Sequence, residues 1–234
     1  MAYIADRIVH DADAHIMEPP NWLRDHADPG IRDRIERPGY ANELIQTGDG
    51  DHGGDQARID AVFERLAQRH RTEEFLADED VEVMNRKNFA ATGSVLAEDR
   101  PRVLDFIGVQ SQLLFNTFHN SRLYQWEHQP DLDLAYGTAR AHNRGMIEFC
   151  SVDPRLLPTC YVPLADFERA DALAAEAIEM GAAALLVASG GPQGHSPSHI
   201  ALDPVGRRAE EAGIPVVFHV GGTGDLIDHA YFDN

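Results

Sequence analysis

Asp11, Asp13 and His15 stand at alternate positions in the run Asp11-Ala12-Asp13-Ala14-His15. On an extended chain, alternate side chains point to one face, so all three are expected to share it. A carboxylate and an imidazole two residues apart can then grip the same ion, with further ligands supplied by strands elsewhere in the chain. His219 meets that need. It ends the apolar run Ile214-Pro215-Val216-Val217-Phe218 and precedes Val220-Gly221-Gly222. A polar ligand at the C-terminal tip of a buried strand sits where parallel barrels place their catalytic groups, and the glycines beyond it let backbone or substrate approach closely. Each piece alone is commoner as a cap or a satisfied polar group; it is their combination, on two strand ends, that points to a metal site.

The elements that must position these residues are legible as alternating strand-like and helix-like segments. An N-terminal strand is predicted at 8–13, then strands at 109–115, 157–164, 182–188 and 214–220. The run at 182–188 is apolar throughout, as expected of a strand covered on both faces. Helices are predicted at 101–107, ended by Gly108, at 132–149, and at 167–180, with Asp166 as cap and Gly181 as terminator. Asp203-Pro204 reads as an N-cap followed by a proline in the first turn of a helix that Gly213 closes. Repeated strand–helix–strand units imply an α/β fold with five parallel strands and right-handed crossovers. The polar segment 17–99 reads as an insertion after the first strand, forming a helical cap within a single domain spanning 1–234. It carries an amphipathic helix at 57–69 and the glycine-rich loop 48–54, whose spacing lacks the pattern of a calcium loop.

Several residues near these strand ends have two readings. Glu18 follows the first strand and is expected either to orient a ligand or to touch substrate. Asp11 reads as support for a ligand or as a strand-start cap. His195 and His199 fall in the loop after the fourth strand, where they either contact an acidic substrate or face solvent. His142 and Asn143 lie on a predicted helix and are expected to pack rather than react. No G-x-S-x-G elbow and no G-x-x-x-x-G-K-[ST] phosphate loop occurs. The net charge of −19 opposes binding to nucleic acid or anionic membranes. No apolar run reaches the roughly 18 residues of a membrane span, no signal peptide is evident, and Cys150 and Cys160 show no metal-site spacing. Together these favour a cytoplasmic protein acting on a small molecule.

The stretch from Asp11 to Pro19, Asp11-Ala12-Asp13-Ala14-His15-Ile16-Met17-Glu18-Pro19, resembles the first-strand signature of the amidohydrolase-related family that includes aminocarboxymuconate-semialdehyde decarboxylase. Ala141-His142-Asn143-Arg144, Ser196-Pro197-Ser198-His199 with Leu202-Asp203-Pro204, and the run from Pro215 to Gly222 extend the resemblance. It implies a partial (β/α)8 barrel, with Asp13, His15 and His219 on the family's metal-ligand positions. It also implies a divalent ion, zinc first and manganese as the alternative. The activity implied is hydrolysis or decarboxylation of a small carboxylated or aromatic substrate, in a full-length form that is a homo-oligomer. The family's sixth-strand histidine and eighth-strand aspartate find no counterpart before Asn234, and Asp225, Asp228 and His229 are not taken as replacements. The chain is therefore expected to be C-terminally truncated. The competing expectation is a catalytically inert half-barrel that binds metal or a partner.

Overall fold

Each apolar run of the C-terminal two-thirds forms a strand in the computed structural model, which describes residues 4, 6–36, 56–192 and 194–219. The strands are β1 (His10–His15), β2 (Ser111–Phe115), β3 (Leu156–Tyr161), β4 (Ala184–Ala188) and β5 (Val216–His219). They pair in parallel in the order β1-β2-β3-β4-β5. Sequential order with every neighbour parallel requires a crossover at each step. The helix α7 (Leu132–Cys150) crosses from β2 to β3, α8 (Phe167–Met180) from β3 to β4, and α9 (Asp203–Ala212) from β4 to β5. The sheet curls as it grows, giving half of a (β/α)8 barrel.

The remaining α-helices among the described residues are α1 (Trp22–His26), α2 (Pro29–Arg32), α3 (Gln56–Arg69), α4 (Glu73–Glu82), α5 (Arg100–Ile107) and α6 (Asn120–Glu127). Side chains alternate between the two faces of the sheet. Cys160, Val162, Leu185 and Val187 pack outward on the alanine-rich face of α8 and on Val205 and Ala209 of α9. Ala14, Leu114 and Leu156 meet Met146 and Phe149 of α7. Removing such side chains from water contributes about 1.5–3 kcal/mol for each large aliphatic residue.

Local signals set several helix ends. Asp166 accepts a hydrogen bond from the Arg169 N–H at 2.9 Å, and Gly108, Gly181 and Gly213 adopt left-handed conformations at their helix ends. Asp203 departs from expectation. It is already helical, and Leu202 holds the cap position without a side-chain bond. The cause is the 3-10 turn Ile200–Leu202, capped by His199, which runs straight into α9 and leaves no extended residue for Asp203 to occupy. β1 also begins and ends two residues later than the sequence suggested, which carries the strand through His15.

The start of the long insertion packs beside the barrel. Trp22 and Leu23 of α1 join the core between β1, β2 and α7, and Arg144 of α7 donates to the His26 carbonyl and to Asp28. The close approach of α1 depends on Gly145, where an added Cβ would lie 2.5 Å from the Trp22 ring. Gly145→Ala is expected to destabilise the fold by about 1–3 kcal/mol through overpacking, measured as a lowered midpoint in urea unfolding. An unchanged midpoint would show that α1 is not held this tightly. Further along, His70, just past the end of α3, bonds Asp99 at 2.7 Å and so ties α3 and α4 to the start of α5. The glycine-rich loop 48–54 lies outside the described residues.

Candidate metal centre

β1 carries an irregularity where it matters most. Asp11 pairs with Gln112 and Ala14 with Leu114, so β1 spends one residue more than β2 over the same stretch. A β-bulge of this kind reverses the alternation. Asp13 and His15 therefore face the inside of the curl, whereas Asp11 shares the outer face with Ala14. The expectation that all three share one face is corrected accordingly. Asp11 accepts from the Gln112 amide at 3.1 Å, and Gln112 accepts in turn from Arg100 at 2.8 Å. Arg100 also donates to the carbonyls of His15 and Gly93. Burial pulls its guanidinium down to about 10, with the charge of Asp11 opposing that shift. Asp11 thus helps hold the backbone under the site from behind.

His219 is the last residue of β5 and registers with Ala188 on β4. Strands one and five of an eight-stranded barrel lie opposite each other, so inward side chains at their tips meet across the lumen. Here the imidazoles of His15 and His219 have centroids 5.1 Å apart, with the Phe115 ring 4.7 Å from His219 and 5.8 Å from His15. Asp13 Oδ1 lies 3.3 Å from His15 Nε2 and 3.2 Å from His219 Nε2. One atom from each of the three side chains lies within 4.8 Å of the others, and no other such group of three or more occurs among the described residues. The Asp13 side chain is 71% exposed and that of His219 17%, so the donor atoms open toward solvent on one side.

Two features of this geometry fit a divalent cation. Bonds of about 2.0–2.2 Å at tetrahedral or octahedral angles place neighbouring donors about 3–3.5 Å apart, which is the spacing of Asp13 Oδ1 from each imidazole Nε2. The second feature is chemical. His15 Nδ1 lies 2.8 Å from the Asn116 carbonyl, which can only accept, so Nδ1 carries the proton. In the neutral ring Nε2 then holds a lone pair, aimed at a carboxylate oxygen 3.3 Å away. Two lone-pair atoms at that distance need a proton or a cation between them.

Glu18 is fully buried and does not stand among the ligand atoms. Its carboxylate accepts from the backbone N–H groups of Thr117, Phe118 and His119 at 3.0–3.1 Å, with His119 Nδ1 at 3.2 Å. Burial raises its pKa, and these backbone bonds oppose the rise. His195 and His199 have their ring contacts elsewhere. Both pack on Phe167 at the start of α8, and His199 caps the turn before α9. Asn143 pins α7 to β3 by bonding both N–H and C=O of Tyr161, as a packing residue should. His142 is buried beside it with neither ring nitrogen hydrogen-bonded, and burial pulls its pKa down to about 3.

Phe115, Asn116 and Thr117 went unread in the sequence. They lie at and just past the C-terminal end of β2, and that position was the only available signal. Glu127 was also missed. Buried at the end of α6, it accepts from the Tyr161 hydroxyl at 2.5 Å and from the Leu164 N–H at 2.6 Å, holding the loop after β3. Val220, Gly221, Gly222, Asp225, Asp228 and His229 lie outside the described residues.

Half a (β/α)8 barrel defines the architecture, and Asp13, His15 and His219 at the tips of strands one and five form a group that could hold a metal ion. Among solved structures, the chain is similar to amidohydrolase map2389c from Mycobacterium avium subsp. paratuberculosis, with a TM-score of 0.60 and 21% identity over 94% of this chain and 60% of that one. It is also similar to 5-carboxyvanillate decarboxylase LigW2 from Novosphingobium aromaticivorans, with a TM-score of 0.51 and 17% identity over 94% of this chain and 53% of that one. That decarboxylase was solved with bound manganese and 3-methoxy-4-hydroxy-5-nitrobenzoic acid. The chain thus spans between half and two-thirds of the length of these proteins, and it shares their fold. No family model and no curated protein matches. No helix among the described residues is long and apolar enough to cross a membrane.

Proposed function

We propose that this chain carries the metal-holding half of a hydrolase or carboxy-lyase site acting on a small aromatic or carboxylated molecule. The observation behind this reading is the convergence of Asp13, His15 and His219 from two strands opposed across the curl. Asp13 would supply a negative oxygen, and the two imidazoles would supply neutral nitrogens. A bound divalent ion, zinc or manganese, would supply Lewis-acid polarisation of a substrate oxygen and activation of water. The manganese in the decarboxylase that shares this fold supports a hard divalent ion. Phe115 lies beneath the imidazoles, and Phe118, on the loop after β2, stacks on Phe89 of the insertion at 5.3 Å. The Phe115 ring would suit the flat body of an aromatic substrate, and the Phe118–Phe89 contact supports reading the insertion as a cap.

The test is turnover of the Mn2+- or Zn2+-loaded chain against two panels, hydroxylated aromatic carboxylates and simple esters or amides. Carbon dioxide release or hydrolysis that disappears with a chelator and returns with the ion is expected. Metal binding without turnover on either panel would favour the inert half-barrel instead, and absence of stoichiometric metal would remove the reading altogether.

A further inference from the structure

The contacts of Glu18 and His15 meet on one peptide group. The peptide between Asn116 and Thr117 offers its carbonyl to His15 Nδ1 at 2.8 Å and its N–H to Glu18 Oε2 at 3.0 Å. A peptide is planar and stiff, with its C=O and N–H pointing in opposite directions. Whatever fixes the N–H therefore fixes the carbonyl. We propose that Glu18 is a positioning residue for the metal centre, acting on His15 through this single peptide plane. The inference rests on the metal reading given above.

The physical case has three parts. Burying a carboxylate is unfavourable unless donors solvate it well, so a fully buried Glu18 calls for a compensating role or a compensating cradle. The cradle is present: three successive N–H groups, from Thr117, Phe118 and His119, converge on it as in an anion-binding nest. The loop is further tied to β1 by the Thr117 hydroxyl, which donates to the Ile16 carbonyl at 2.7 Å and lies 3.3 Å from His15 Nδ1. Charge also travels along the chain of bonds. A carboxylate accepting from an amide polarises that amide, which strengthens its carbonyl as an acceptor and makes the imidazole a better donor at Nε2. Metal-binding histidines commonly rest their second nitrogen on a carboxylate or a carbonyl. Here a carboxylate stands behind the carbonyl, one peptide removed.

Glu18→Gln tests this, because it keeps the shape but turns one oxygen into an NH2 facing backbone donors. The measurements are Mn2+ affinity by calorimetry and the 15N signals of the His15 ring in metal-free protein. In the unaltered chain, His15 is expected to carry an exchange-protected proton on Nδ1. In Glu18→Gln that protection should be lost and Mn2+ affinity should fall about 10–100-fold, the usual scale for groups behind a ligand, with cooperative unfolding retained. A folded Glu18→Gln protein that binds Mn2+ as the unaltered chain does would overturn the relay and leave the metal reading standing. If the unaltered chain binds no Mn2+, the metal reading fails, and the relay is judged by whether Glu18→Gln removes ring-proton protection. If Glu18→Gln does not fold, the unaltered chain still decides the matter: an Nδ1 without a proton overturns the proposal, and a protected one supports it.

Discussion

His219→Ala and His15→Ala are each expected to weaken Mn2+ or Zn2+ binding by more than about 100-fold, since loss of a ligand should exceed the effect of losing a group behind one. That factor corresponds to about 2.7 kcal/mol. Each imidazole contributes one donor on an opposite side of the same small space, and Asp13 alone bridges the two. Asp11→Ala gives the contrast. Its carboxylate faces the helices behind β1 and bonds Gln112, so it is expected to change affinity by only a few-fold while lowering stability. The check is equilibrium dialysis with metal analysis on all three variants. Equal metal content in the chain and in either histidine variant would refute the shared site. A loss in Asp11→Ala as large as in the histidine variants would refute the reversal of facing at the bulge.

The second large effect concerns acid. His142 is buried on α7 with neither ring nitrogen hydrogen-bonded, and burial holds its pKa near 3 against an ordinary value of 6.5. Between those values the unfolded chain takes up a proton that the folded chain refuses. Its contribution to stability is therefore fully present above pH 6.5 and drains away as the pH falls toward 3, by up to about 1.4 kcal/mol per pH unit. His119 is shifted the same way by burial, but it touches Glu18, whose raised pKa acts in the opposite direction. A difference measurement separates them. His142→Leu removes one titrating group, so its urea-unfolding free energy should fall less steeply from pH 6.5 downward. At neutral pH it should lie within about 1 kcal/mol of the unaltered chain, because an apolar side chain replaces unpaired polar atoms. Parallel stability curves for the two proteins across this range would show that His142 does not resist protonation.

How far the sequence could be read follows from what each feature depends on. Strands two to five were visible because each is an apolar run between turn residues, and α8 was visible because Asp166 and Gly181 act within a few residues of its ends. Asp13, His15 and His219 were legible as residue types on strand tips. The bulge was not. The run Asp11-Ala12-Asp13-Ala14-His15 alternates without a flaw, and nothing in it marks where one extra residue will be absorbed. That single slip sends Asp11 to the far face. The support behind His15 was hidden for a different reason. It is made by a backbone carbonyl and backbone N–H groups at 116–119, whose chemistry is the same for almost any side chain. His195 and His199 were readable as residues past the fourth strand, but their packing on Phe167 depends on how α8 meets that loop.

The separation of the ligands along the chain has a consequence for the order of events in a cell. Asp13 and His219 stand 206 positions apart, and in the sheet β2, β3 and β4 lie between the two strands that carry them. During synthesis the early pair, Asp13 and His15, leaves the ribosome with only two donors to offer. Any ion that requires all three must wait until the last described strand has docked. Its capture would then tie the first strand to the fifth, so metal uptake would report that the curl has been built rather than help to start it.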